Sequence, residues 1–237
     1  MCTLEKRGNI YLLTITGPGE HRLEPILIDA IRSALDRIKS ETTTSSSALI
    51  TTAEGKFFSN GLDLAWMQLI PSNLQLMSRK FRSLISDLIS LPMPTIAAIT
   101  GHASAAGLIL ALSHDYILMR KDRGFLYMSE LDVRLKIPPW SMALIESKVG
   151  NPKVQREIVL RAARLTAKEG EKWGIIDAAH DSAEGTVKAA IGLGEQLVKR
   201  KWDGHVYAQN RMVVLRKVWD GLESKETYRI TSTGSKL

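Results

Sequence analysis

Residues Thr95 to Asp115 run from an apolar, strand-like stretch, Thr95 to Thr100, through Gly101-His102-Ala103-Ser104-Ala105-Ala106-Gly107 and straight into an apolar, helix-like one, Leu108 to Ser113. A strand that feeds a helix through such small residues aims unpaired backbone N–H groups and the positive helix end at one spot. That spot can hold a phosphate or a developing oxyanion. Three readings stay open: an anion site of this kind, a packing turn between helix and sheet, and a dinucleotide loop. The last is weakened because Gly101-x-Ala103-x-x-Ala106 lacks the second and third glycines of that fingerprint. A second loop, Lys56-Phe57-Phe58-Ser59-Asn60-Gly61-Leu62-Asp63-Leu64, follows the apolar stretch Ala48 to Thr51. It reads as an ordinary Asn60-Gly61 turn or as a second set of backbone donors. Two backbone-rich loops after two strands are what a two-donor oxyanion hole requires.

Proton-carrying candidates are few. Glu130 follows the short apolar stretch Phe125 to Met128 and reads as a solvated loop acid or as a base, with Asp132 as its rival. His114-Asp115 has the composition of a catalytic triad, but chain neighbours rarely converge, so a helix end is the reading. His102 either faces the site or caps its loop and receives no role. Asp63 reads as an acceptor for N–H groups in its own loop. Met67, Met77 and Met93 read as core fillers. Cys2 is the one cysteine, which leaves no internal disulfide and no Cys/His cluster for structural zinc.

The elements that position these residues follow from periodicity. Strands are predicted at Asn9 to Ile15, Ala48 to Thr51, Thr95 to Thr100, Tyr116 to Met119 and Phe125 to Met128. Helices are predicted from Pro25 to Ser40, where apolar residues recur at three- and four-residue spacing, from Ser78 to Leu91, and from Leu108 to Ser113. Thr42 to Ser47 reads as a surface loop. Beyond about Pro152 the chain reads as helical throughout, over Lys153–Arg161, Ala167–Trp173, Ala183–Arg200 and Tyr207–Trp219. Strand and helix alternate in the manner of an α/β or mixed sheet.

The 237 residues are enough for one large domain, and 44% hydrophobic with 24% charged residues is the composition of a soluble globular chain. The net charge of +7 invites a nucleic-acid hypothesis, but the basic residues are interleaved with acids and aromatics make up 6%, so none is expected as partner. A small polyanionic ligand or a solvated surface accounts for the excess. No N-terminal signal peptide and no membrane span are expected. The chain ends Ser235-Lys236-Leu237, which reads as a peroxisomal address for an import receptor.

The two loops together resemble those of the enoyl-CoA hydratase/isomerase (crotonase) superfamily. Phe58 to Leu64 looks like its first oxyanion loop, Ala97 to Gly107 like its second, and Leu165 to Asp177 like its later helix-turn pattern. Within it, Asn60 to Leu64, Ser129-Glu130 and the terminal tripeptide look most like the peroxisomal 3,2-enoyl-CoA isomerases of plants. The resemblance implies an α/β crotonase-like fold of stacked ββα units, with a catalytic core over 1–180 and a C-terminal helical region and targeting tail over 181–237. It implies oxyanion donors at the N–H groups of Leu62 and Ala106 and a substrate site formed by Ser59, Asn60, Gly61, Leu62, Asp63, Ala105, Gly107 and Ile109. Of the two glutamates that hydratases use, the first aligns with Ile109, which transfers no proton, and the second with Glu130. One carboxylate suffices to move one proton, whereas hydration is work that paired carboxylates share. The implied activity is therefore isomerisation of 3-enoyl-CoA, with hydration or silent acyl-CoA binding as alternatives. It further implies no metal or other cofactor, trimers or hexamers, and an apolar wall from Ile109, Leu108, Leu131 or Trp140 that raises the pKa of Glu130. The chain departs from the family at Ala105-Ala106, where glycines are usual, and at Ile137-Pro138-Pro139-Trp140, so acyl-chain length is not inferred.

Overall fold

The computed structural model describes residues 1–41 and 46–223. The predicted loop residues 42–45 and the terminal Ser235-Lys236-Leu237 lie outside the described residues. A six-stranded sheet has the order β1 (Cys2–Arg7), β2 (Ile10–Ile15), β3 (Ala48–Ala53), β5 (Thr95–Ile99), β7 (Tyr116–Arg120), β9 (Ala178–His180). The hairpin β1–β2 is antiparallel and turns at Gly8-Asn9; every other pairing is parallel. A second, three-stranded parallel sheet holds β4 (Phe57–Ser59), β6 (His102–Ser104) and β8 (Leu126–Tyr127) in that order.

The connections repeat one unit. β3 runs into β4 and then into α2 (Leu64–Leu69) and α3 (Pro71–Ile89). β5 runs into β6 and α4 (Ala106–Leu112), and β7 into β8 and α5 (Pro139–Lys148). Each turn of the chain therefore adds one strand to each sheet before its helices, as a stack of ββα units.

Strand alternation separates two cores. Ile10, Leu12, Ala48, Ile50, Ile96, Ala98 and Leu118 face Ala190 and Leu197 of α8 (Ala183–Val198), while Tyr11, Leu13, Leu49, Ala97, Ile99, Ile117 and Met119 join the larger core on the other face. A parallel sheet covered on both faces needs strands apolar at nearly every position, and β3 is buried throughout. α1 (Pro25–Glu41) lays Leu27, Ile28, Ile31, Leu35 and Ile38 into the larger core, each such burial worth roughly 1.5–3 kcal/mol. Met67, Met77 and Met93 are buried there too.

Several elements depart from the sequence expectations. β1 is absent from them, because its edge position leaves Glu5, Lys6 and Arg7 exposed and removes the apolar signal. The C-terminal stretch is not helical throughout. After α6 (Pro152–Val159) and α7 (Ala167–Lys172), β9 joins the sheet beside β7, a three-residue partly buried strand too short to show a period. The helix predicted from Ser78 begins at Pro71, which supplies its first-turn proline, and α2 precedes it. The single helix expected at Tyr207–Trp219 is two, α9 (Gly204–Val214) and α10 (Arg216–Glu223), broken at Leu215. α5 starts at Pro139 directly after Pro138, a pair that otherwise reads as a break.

Candidate active site

β4, β6 and β8 are parallel neighbours, so the segments that leave their carboxyl ends emerge side by side, the place where open parallel sheets bind ligands. These segments are the first loop at Ser59–Asp63, the second at Ser104–Gly107, and the turn Ser129–Leu135 that carries Glu130. Between them lies a cavity of about 250 Å³.

The first loop is held from beneath. Ser59 is buried; its hydroxyl donates to the His21 carbonyl at 2.8 Å and accepts the Gly61 N–H at 3.2 Å. Asn60 donates its side-chain amide to Glu20 at 2.8 Å. Gly61 sits at φ +82°, and a Cβ there would stand 3.0 Å from the Ala105 Cβ and 3.2 Å from the Ala106 nitrogen, so only glycine lets the two loops meet. Asp63 caps α2 by accepting the Trp66 N–H at 3.2 Å.

The second loop turns at Ala105, whose φ of 51° and ψ of −123° are costly for a residue with a Cβ. Its N–H donates to the Tyr127 carbonyl at 2.7 Å, and its own carbonyl accepts from Leu108 and Ile109. Ala106 is then the first residue of α4. Gly107 passes so near the first loop that a Cβ would fall 2.2 Å from the Ser59 carbonyl oxygen. The N–H groups of Gly61 and Ala105 are thus consumed, whereas among the described residues those of Leu62 and Ala106 donate to no protein acceptor. Both residues line the cavity.

Glu130 lines it as well, 5% exposed, with its Oε2 atom buried and without a hydrogen-bond partner. Burial pushes its carboxyl up to about 7, opposed by a weaker hydrogen bond from its own backbone. The cavity's other carboxyl group, Asp132, is exposed and accepts the Tyr127 hydroxyl.

Of the predicted site residues, Asn60, Leu62, Ala105, Ala106 and Glu130 line the cavity; Ser59, Gly61, Asp63, Gly107 and Ile109 do not. Ser59, Gly61, Asp63 and Gly107 shape or cap the loops, and Ile109 is buried in the core. The apolar wall is also other than expected. Leu131 is half exposed, Trp140 packs in the core against Phe81 at 5.7 Å, Leu108 is likewise core, and none of the three lines the cavity. Leu62, Leu64, Val133 and Leu135 are the large apolar residues of the lining, to which Arg22, Ser104, Tyr127 and Ser129 also belong. Tyr127 carries the one signal that could have found it, since it alternates with buried Leu126 and Met128.

Other candidates separate from this site. His102 lies between the rings of Phe57 and Phe125 at 5.0 and 5.5 Å; desolvation and then Lys56, Arg123 and Arg164 lower its pKa. His114 is buried between the Leu110 carbonyl and the Thr51 hydroxyl, and desolvation lowers it to about 4. Asp115 pairs with buried Arg211 through two contacts of 2.6 and 2.5 Å, so the two neighbours form no triad. Among the described residues no group of three or more His, Cys, Asp or Glu is placed to hold a metal.

Two unused N–H donors from separate loops, with a desolvated carboxyl group in the same small cavity, suit a carbonyl compound that acquires negative charge on oxygen as a proton leaves a neighbouring carbon. Solved structures share this architecture. A Mycobacterium tuberculosis enoyl-CoA isomerase superimposes with a TM-score of 0.84 over 94% of this chain and 96% of its own at 20% identity. An enoyl-CoA hydratase of Mycobacterium ulcerans also gives 0.84, over 94% and 97%, at 19%. The fold thus serves proteins named for either reaction. Among curated sequences, "Enoyl-CoA delta isomerase 1, peroxisomal" of Arabidopsis thaliana is 56% identical over the full length of both chains. "Enoyl-CoA delta isomerase 2, peroxisomal" of the same plant is 53% identical, with 89% of this chain and 90% of its own aligned. The family model described as enoyl-CoA hydratase/isomerase matches residues 5–222. With the stacked ββα units and the paired loops at the ends of β4 and β6, that match shows that the chain belongs to the enoyl-CoA hydratase/isomerase family.

Proposed function

We propose that the chain is a peroxisomal enoyl-CoA delta isomerase that shifts the double bond of a 3-enoyl-CoA thioester to C2 in fatty-acid β-oxidation. The observation that carries this reading is a single buried carboxyl group, Glu130, without a hydrogen-bond partner for Oε2 and titrating near neutrality in the cavity that holds two unused N–H donors. The identity of 56% over the full chain to one plant delta isomerase, and of 53% over 89% of the chain to another, supports it.

In the proposed cycle the Glu130 carboxylate takes a proton from C2. The electron pair of the broken C–H bond spreads over C2 to C4 and onto the thioester oxygen, which the Leu62 and Ala106 N–H groups hold. Glu130, now a carboxylic acid, returns the proton to C4, and the double bond settles between C2 and C3. The base is regenerated and no oxidant, metal or further cofactor enters the balance; CoA is part of the substrate. Each oxyanion donor contributes about 2.7–4 kcal/mol and the positioned base about 10²–10⁴-fold. A base of pKa about 7 combines a useful ionised fraction with a real driving force in both transfers.

Hydration needs a second proton carrier. Position 109 is a buried isoleucine, and Asp132 is engaged by Tyr127. The purified protein should therefore convert 3-enoyl-CoA to 2-trans-enoyl-CoA and add no water to the product; hydratase turnover of equal rate refutes the assignment. Fusing the last ten residues to a fluorescent protein should direct it to peroxisomes through the import receptor, and removing Ser235-Lys236-Leu237 should leave it in the cytosol. Trimers or hexamers would cover the exposed Val206, Val213 and Val214 of α9, and light scattering measures the mass.

A further inference from the structure

Tyr127 touches both the second loop and the turn that carries Glu130. Its carbonyl accepts the Ala105 N–H at 2.7 Å, in the turn that leads into Ala106, which lines the cavity. Its backbone pairs in register with Ser104 across β6 and β8. Its hydroxyl donates to the Asp132 carboxylate, and its ring lines the cavity beneath the guanidinium of Arg164, 4.9 Å from the ring centroid. Asp132 lies in the turn that carries Glu130. That turn is closed by backbone bonds from Val133 to Ser129, from Arg134 to Leu131 and from Leu135 to Glu130 at 3.1, 3.3 and 2.8 Å, with Arg134 at φ 57°. These are bonds within the turn. Among the described side-chain hydrogen bonds, the one from Tyr127 to Asp132 ties the turn to the small sheet. The Glu130 carboxyl is held only by its own backbone N–H, and its buried Oε2 has no partner.

We propose that Tyr127 is a positioning residue which, by bonding Asp132 with its hydroxyl and Ala105 with its carbonyl, sets the placement of Glu130 relative to the oxyanion donors, and that Asp132 is its partner and not a second base. The proposal rests on Glu130 being the proton carrier. The Asp132 hydrogen bond and then burial hold the Tyr127 hydroxyl pKa up, with Arg164 opposing, so the hydroxyl remains a donor throughout the working pH range. A brace of this kind acts on the chemical step, because small displacements of a base from its proton are expensive while binding of the remote CoA portion is indifferent to them.

The test is steady-state isomerase kinetics on a 3-enoyl-CoA for Tyr127→Phe, Asp132→Ala, Asp132→Asn, the double variant Tyr127→Phe/Asp132→Ala and Glu130→Gln, with thermal melts confirming that each is folded. Tyr127→Phe and Asp132→Ala should each lower kcat by roughly 10- to 100-fold with KM changed less than about 3-fold. The double variant should be no slower than either single one, as one shared interaction demands. Asp132→Asn, whose amide oxygen still accepts the hydroxyl proton, should stay within about 3-fold of wild type and keep the pH limb near 7. Tyr127→Phe and Asp132→Ala both within about 2-fold of wild type overturn the brace. Asp132→Asn as inactive as Glu130→Gln makes Asp132 a proton carrier and overturns it too. An active Glu130→Gln enzyme is a separate result, which removes the isomerase reading on which the brace depends.

Discussion

Replacing Glu130 with glutamine removes a charge site while keeping shape, and its consequences for stability and turnover have opposite signs. The Glu130 carboxyl titrates at about 7 in the fold against 4.5 for the free side chain. The folded state therefore holds this proton more tightly than the unfolded chain. Its contribution to stability is fully present below pH 4.5 and is lost as the pH rises through 7, because ionisation then requires a charge in a 5% exposed, unpartnered site. At about 1.4 kcal/mol per pH unit the loss amounts to roughly 3 kcal/mol by pH 8. Glutamine carries no such term. The stability difference, variant minus wild type, should thus grow by roughly 3 kcal/mol between pH 4.5 and pH 8, or by roughly 6–12 °C in Tm for a chain of this size. Isomerase turnover should fall by at least about 10²-fold over the same range. Thermal melts of both proteins at pH 5 and pH 8, beside the isomerase assay, read the two effects together. An equal difference in Tm at both pH values refutes the desolvated carboxyl, and a turning-over glutamine variant refutes the base.

Wild-type kcat/KM should rise with pH through a limb near 7, and a limb near 4.5 would mean that Glu130 is hydrated in the working enzyme. Gly107→Ala drives a methyl group to 2.2 Å from the Ser59 carbonyl oxygen. Urea denaturation should then show a loss of about 3 kcal/mol or more and oxyanion-dependent turnover should collapse; a variant of wild-type stability contradicts the close approach of the loops. Ala105→Gly relieves a positive φ. That strain costs about 1–3 kcal/mol. The glycine adds chain entropy worth about 0.5 to 1 kcal/mol in the other direction. Tm should therefore hold or rise by a few degrees, and a clear fall refutes the strain. His114, lowered to about 4, keeps its stabilising neutral form above pH 6.5 and loses it as the pH falls through 4; His114→Gln should flatten that acid loss in melts between pH 7 and pH 4.

The sequence by itself determined the frame and the parts. The apolar runs Asn9 to Ile15 and Thr95 to Thr100 dictate strands covered on both faces, and the three- and four-residue rhythm from Pro25 to Ser40 dictates a helix with one buried face. The runs at 58–64 and 101–107 announce two backbone-lined loops because small residues and Asn60-Gly61 are needed where backbones approach or turn. Elements without a period of their own are invisible at that level. β9 is a short strand that exists because β7 and Lys121 offer it and the preceding Asp177 backbone partners, and β1 is an exposed edge. Only the tertiary structure decided which groups meet. Glu130 and Asp132 stand two residues apart in one turn with the same chemistry, yet one is 5% exposed with an orphaned oxygen and the other is exposed and bonded to Tyr127. No local pattern separates them. Burial, and with it the pKa that makes a carboxylate a base, is set by residues such as Leu62, Leu64 and Ala106 that reach the cavity from far along the chain, and desolvation depends on what surrounds a group in space.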